Sequence, residues 1–213
     1  MSSEICIIFD LDGTLVDSEY LCNQAFIDLI PDLTDTVEAL TRRNRGRKLA
    51  PILIDIEKRL GHSLPSTFES HYRLRVAELF DAHLKPTPGT PQVLEQLSYP
   101  CCVASSAPPE KIRHALNISG LAAFFGGRIF SSYEVGSWKP EPGLFLHVAE
   151  ALGFRPGQCI VVEDSEPGLL AADAAGMFAL HYAPALANPL PNRRAFRTMA
   201  ELPNLVRAIA SAA

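Results

Sequence analysis

The chain has 213 residues, of which 47% are apolar and 20% charged, so it is one large domain or a domain with an insertion, and general disorder is excluded. Nineteen Lys and Arg against 24 Asp and Glu leave a net charge of −5, which argues against non-specific nucleic-acid binding, a property of basic surfaces. The same balance leaves room for an anionic small molecule, because a few local cations reverse the field of one cleft.

The opening residues, MSSEICIIFD, lack a basic segment followed by a long apolar stretch, so no secretory signal is legible and a cytoplasmic setting is expected. No apolar run approaches the roughly 18 residues of a membrane span. A first strand is expected over residues 5–9, an apolar run short enough to be buried on both faces of a parallel sheet. At its tip stands Asp10-Leu11-Asp12-Gly13-Thr14. Ligands of an open α/β sheet bind beyond the carboxyl ends of its strands. Two carboxylates two residues apart repel unless a cation lies between them, and an oxygen-only donor set suits Mg²⁺. Taken alone, Asp-Gly also reads as a tight turn.

From residue 18 to 84 no strand is expected, only helical patterns over 19–29, 34–42, 49–60 and 67–83. That is too long for a loop and reads as an all-helical insertion, with Lys85-Pro86-Thr87-Pro88-Gly89 as the return linker. Inside it, Arg42-Arg43-Asn44-Arg45-Gly46-Arg47-Lys48 packs five cations into seven residues. These either form a solvated helix end or, through Arg47 or Lys48 beside Gly46, reach an anionic or hydroxyl-rich ligand.

Beyond residue 90, helices (91–97, 110–116, 143–152, 167–175, 201–210) alternate with strands (101–104, 128–130, 158–162, 178–182), the signature of a doubly wound parallel sheet. The Pro- and Ala-rich tract 183–192 is expected to be a surface loop. Cys6, Cys101, Cys102 and Cys159 fall in apolar runs, and no cysteine pair has a zinc-ligand spacing, so the five cysteines are expected to be reduced. Three more strand-tip or loop elements carry chemistry. Ser105-Ser106 follows the second strand, as a phosphate-binding hydroxyl pair or a helix cap. Lys139, between Trp138 and Pro140, is an ordinary loop lysine or a constrained functional one. Glu163-Asp164 ends the fourth strand and alone would be read as helix capping. Two tips of one parallel sheet point the same way, however, and four carboxylates in one cleft are costly without metal. Joint metal binding is therefore the better reading of the acids.

Asp10-x-Asp12-Gly-Thr, Ser105, Lys139 and Glu163-Asp164, in this order, resemble the motifs of the haloacid dehalogenase superfamily of phosphatases, and the resemblance spans nearly the whole chain. It implies a Rossmann-like α/β core (1–17 and 86–213) with an inserted helical cap (18–85) of the type shared with β-phosphoglucomutase and phosphoglycolate phosphatase. The segments from Tyr72-Arg73 to Phe80-Asp81 and at Trp138-Lys139-Pro140 are similar to the bacterial 6-phosphogluconate phosphatases. The resemblance implies a Mg²⁺-dependent phosphatase acting through an aspartyl-phosphate on Asp10. Asp12 would be acid and base, with a pKa near working pH. Ser105, with the backbone near Ser106, would hold the phosphoryl oxygens, and Lys139 would neutralise charge. The metal would be held by Asp10, the carbonyl of Asp12 and Asp164, and by Glu163 either directly or through an outer contact. Arg47 or Lys48 would bind the substrate, a small phosphomonoester such as a sugar or sugar-acid phosphate. No nucleic-acid or membrane partner is expected, and a monomer or weak homodimer is.

Asp12 also separates phosphoryl transfer from the dehalogenases and phosphonatases of the superfamily, which lack the second aspartate. The alternative is a phosphosugar mutase, but those enzymes carry a histidine early in the cap where this chain has Cys22. A non-catalytic phospholigand-binding module and a calcium-binding protein are the remaining readings.

Overall fold

The structure, a computed structural model, describes residues 5–184 and 190–211. Among the described residues six strands form one parallel sheet: β1 (Cys6–Phe9), β2 (Cys101–Ser105), β3 (Ile129–Ser131), β4 (Cys159–Glu163), β5 (Phe178–Tyr182) and β6 (Arg194–Phe196). Their order in space is β3-β2-β1-β4-β5-β6. The chain winds outward from β1 through β2 to β3, then returns to lay β4 on the other side of β1. The order therefore reverses between β1 and β4, which is where a doubly wound sheet opens a crevice for ligands.

Side-chain alternation gives the sheet two buried faces. Ile7, Phe9, Val103, Ile160, Val162 and Leu180 pack on one face against α5 (Thr90–Gln96), α6 (Pro109–Ile118) and α11 (Leu202–Ala210). Cys6, Ile8, Cys102, Ala104, Cys159 and Val161 pack on the other against α9 (Gly143–Leu152) and α10 (Glu166–Ala174). All five cysteines are free thiols. Burying Ile7, Ile8 and Phe9, each no more than 1% exposed, stabilises the sheet by about 1.5–3 kcal/mol per side chain, and it is against this that the buried charges at the strand tips must be held.

The segment after β1 is helical, as its pattern predicts: α1 (Glu19–Leu29), α2 (Val37–Asn44), α3 (Leu49–Leu60) and α4 (Phe68–His83). Phe26 of α1 stacks on Tyr72 of α4 with ring centroids 4.4 Å apart. The outgoing and returning segments are tied together, with Asp17 N–H donating to Lys85 O (3.1 Å) and Thr87 N–H to Leu15 O (2.9 Å). The four helices thus rise from a paired stalk beside the carboxyl edge of β1.

Some expected boundaries shift for local reasons. α2 starts three residues late, because the Thr36 side chain caps it by accepting from Ala39 N–H (3.2 Å), and it runs on to Asn44. Two four-residue helices, α7 (Ala122–Phe125) and α8 (Ser132–Val135), are too short to show a period in the sequence. β6 was not expected: Arg-Ala-Phe has no apolar run, and it is an edge strand with only Phe196 fully buried. The expected loop over 183–192 lies partly outside the described residues.

Candidate active site

Parallel pairing of β1 with β4, Phe9 beside Val162, brings Asp10 next to Glu163 and Asp164. Asp10 N–H continues the ladder to Val162 O (3.0 Å). One carboxylate oxygen each of Asp10, Glu163 and Asp164 lies within 4.8 Å of the others, and all three residues are buried. On the other flank of β1, β2 ends in the buried Ser105, whose hydroxyl accepts from Ala107 N–H (3.1 Å). Lys139, in the segment between α8 and α9, inserts its ammonium into this group. It donates to Asp10 Oδ1 (2.5 Å), Glu163 Oε2 (2.7 Å) and Ala104 O (3.2 Å), so every N–H it has is engaged.

Three buried acids against one ammonium leave an excess of negative charge. Burial, then the neighbouring Glu163, push Asp10 up to about 8 despite Lys139. Burial and Glu163 raise Asp164 well above the carboxylate range as well. For Lys139 burial disfavours the charge, but Asp10 and Glu163 outweigh it and hold the ammonium charged. An all-oxygen set with surplus negative charge fits a hard divalent cation such as Mg²⁺.

Two glycines make room for this packing. A Cβ on Gly13, which has φ +83°, would sit 2.5 Å from Asp164 Oδ2. The Asp-Gly turn is thus needed, but for the close approach of the first acidic loop to the fourth strand's tip. A Cβ on Gly168 would fall 1.9 Å from Glu163 Oε2, so α10 must present a bare backbone to that carboxylate. Helix capping, the other reading of the Glu-Asp pair, is done by Ser165, whose hydroxyl accepts from Gly168 N–H (3.3 Å). Glu163 Oε1 accepts from Asp164 N–H (3.1 Å), Ser165 N–H (3.0 Å) and the Ser165 hydroxyl (2.8 Å). Both of its oxygens are therefore occupied.

Asp12 stands apart from the acid cluster. Its carboxylate accepts from the Ser18 hydroxyl (2.5 Å) and from the Lys111 ammonium at 2.8 and 2.9 Å. Burial works against its ionisation, but Lys111 and Ser18 outweigh that and hold the carboxyl below the usual range. With these partners Asp12 is a carboxylate, and an added negative charge beside it would raise it toward working pH. Between these groups and the helical insertion lies a cavity of about 890 Å³, lined by Asp10, Asp12, Ser105, Ser106, Lys111 and Lys139 on the sheet side and by Arg47, Lys48, Tyr72 and Phe80 on the helical side.

A family model for haloacid dehalogenase-like hydrolases matches residues 6–176. The chain belongs to that family. It is 33% identical over 214 residues to 6-phosphogluconate phosphatase of Escherichia coli K12, covering 98% of this chain and 97% of the relative. It is 30% identical over 178 residues to a phosphorylated carbohydrates phosphatase of Thermotoga maritima, covering 80% and 81%. Among solved structures, a conserved haloacid dehalogenase-like protein of unknown function from Agrobacterium tumefaciens superposes with a TM-score of 0.83 at 27% identity, over 97% of this chain and 99% of that one. The chain is a phosphoric monoester hydrolase of this family with a Rossmann-like core. No helix among the described residues is long and apolar enough to cross a membrane.

In this hydrolase the residues singled out from sequence divide into three groups. Asp10, Lys139, Glu163 and Asp164 meet at the β1/β4 crevice, with Ser105 at the adjacent strand tip. Asp12 and Ser106 line the cavity beside them. The basic run splits: Arg43 pairs with Asp35 (2.9 Å), and Arg45 pairs with Glu19 (2.9 Å) and lies 3.7 Å from Asp164. Arg47 and Lys48 face the cavity, where Lys48 sits 4.8 Å over the Trp138 ring and Arg47 donates to Pro51 O (3.3 Å). Sequence reasoning missed Lys111 and Ser18. One weak signal for Lys111 was there: a lysine third in α6 opposes the helix dipole, a placement that a nearby anion offsets.

Proposed function

We propose that this hydrolase is a Mg²⁺-dependent phosphatase that acts through an aspartyl-phosphate on a small sugar or sugar-acid phosphate, of which 6-phosphogluconate is the model. The observation that carries this is Lys139 bridging Asp10 and Glu163 beside Asp164 at the crevice. In this reading residues 1–17 and 86–213 are the catalytic core, residues 18–85 are a cap, and the enzyme works in the cytoplasm as a monomer or weak homodimer.

Asp10 attacks phosphorus, and the ester oxygen leaves with a proton from Asp12, giving phospho-Asp10 and an alcohol. The phosphoryl group of the bound substrate supplies the negative charge that raises Asp12 enough to carry that proton. Asp12 then takes a proton from water as it attacks the phospho-aspartate, which releases phosphate and restores Asp10. Ser105 and the backbone near Ser106 hold phosphoryl oxygens. Lys139 keeps Asp10 oriented and balances charge as it builds. Asp10, Asp164 and the carbonyl of Asp12 would hold Mg²⁺, which supplies charge neutralisation between an anionic nucleophile and an anionic substrate. Glu163, left by the sequence between direct ligand and outer contact, is assigned the outer role: its oxygens are already taken by Lys139, Ser165 and the backbone.

Hydrolysis is preferred to phosphosugar isomerisation because Cys22 lines the cavity where a base would be needed. Burial pushes its thiol up to about 11, so it is neutral and a poor proton acceptor. A panel of phosphate monoesters with Mg²⁺ tests the reading: free phosphate should accumulate without a bisphosphate activator. Steady isomer formation without phosphate release contradicts it.

The cap cations give a prediction of their own. Neither Arg47 nor Lys48 has a carboxylate partner within salt-bridge range among the described residues, so both are open to a substrate anion. Arg47→Ala or Lys48→Ala should raise KM for a sugar-acid phosphate by about 5–20-fold, one charged hydrogen bond's worth, with kcat within about twofold. Unchanged constants in both variants remove these residues from substrate binding.

A further inference from the structure

Lys111 is not part of the acid cluster, yet its ammonium lies in the cavity within 2.8 and 2.9 Å of the two oxygens of Asp12. It comes from the core helix α6 and sits 5.6 Å over the ring of Phe80, a cap residue, so it stands where core and cap meet over the site. An ammonium has three N–H donors. Its contacts to Asp12 are the hydrogen bonds this ammonium makes among the described residues, which leaves one N–H directed into the cavity that Cys22 also lines. Cys22, Tyr72 and Phe80 line that part of the cavity, and their apolar surface strengthens any polar contact the ammonium makes there.

In the reading above, on which this inference rests, Asp12 touches the ester oxygen. A group bound to both oxygens of Asp12 is then one hydrogen bond away from whatever stands on the next carbon. We propose that Lys111 is a specificity-determining residue that donates its third N–H to an oxygen on the carbon adjacent to the ester-bearing carbon, so that the hydrolase selects polyol-type leaving groups over plain alkyl ones. Asp12 and Lys111 together grip a vicinal O–C–C–O unit, one through the ester oxygen and the other through its neighbour. Arg47 and Lys48 remain free for the far end of the substrate.

Three esters of equal charge and carbon chain length test this: propyl phosphate and the isomeric 2-hydroxypropyl and 3-hydroxypropyl phosphates, each assayed with Mg²⁺ for phosphate release. The wild-type enzyme should prefer the 2-hydroxy ester to the other two by about tenfold or more in kcat/KM, the size of one hydrogen bond from a charged donor. Lys111→Met should bring that ratio near one, whatever it does to the absolute rate through Asp12, and Lys111→Arg should keep part of it. A wild-type ratio near one overturns the proposal even if Lys111→Met does not fold. So does a ratio that survives in a folded Lys111→Met, or a Lys111→Met that lowers all three esters equally while the 2-hydroxy preference persists. If the wild-type enzyme releases phosphate from none of these esters and from no sugar phosphate, the phosphatase reading itself fails, and the inference falls with it.

Discussion

Asp10→Asn should lower phosphate release by at least about 10³-fold while leaving the protein folded. The amide has nearly the same shape but is no nucleophile toward phosphorus. The fold should tolerate it well, because Asp10 lies in a crowded acidic site where burial and Glu163 already push its carboxyl up to about 8. A permanently neutral amide suits that environment and leaves Lys139 its partners Glu163 Oε2 and Ala104 O. The check is phosphate release from a sugar phosphate alongside thermal unfolding. Equal release by wild type and variant would assign the nucleophile elsewhere.

Lys139→Met should damage both rate and stability. The ammonium is the buried cation in direct contact with Asp10 and Glu163, and removing one member of a buried ion pair costs about 3–5 kcal/mol because the remaining charge is left unpaired. A pH signature follows. Asp10 already has a raised carboxyl in the folded chain, and without Lys139 it would rise further. A raised acid contributes its stability below the ordinary carboxylate range near 3.8 and loses it as pH climbs toward the folded value of about 8. Without metal, the variant's melting temperature should therefore keep falling between about pH 8 and pH 9.5, where that of the wild type levels off. Added Mg²⁺ should restore part of the melting temperature and little of the rate. A variant that melts like the wild type at both pH values would show that Lys139 does not balance the acids.

How far the sequence reached depended on whether the deciding interaction was local. β1 and β4 were legible because four or five consecutive buried residues leave a continuous apolar run, and an acid at the end of such a run has few structural reasons to be there. The helical insertion was legible from its length without strands. Other features depend on contacts between distant segments. Lys111 pairs with Asp12 across 99 positions, and its only local trace is an unfavourable place near a helix start. The assignment of Glu163 turns on Lys139, Ser165 and the bare backbone of Gly168, none of which a motif states. The basic run at 42–48 looks uniform in sequence, yet acids elsewhere in the chain claim Arg43 and Arg45 and leave Arg47 and Lys48 toward the cavity. β6 escaped notice because an edge strand needs only one buried side chain.

The covalent step is open to direct observation. Wild-type protein turning over a labelled phosphate monoester in Mg²⁺ would be quenched in acid and digested, and the peptides searched for the label. Label on the peptide that contains Asp10, absent when Mg²⁺ is chelated and absent from Asp10→Asn, is the expected result; full-rate phosphate release with no label on that peptide would contradict nucleophilic attack by Asp10.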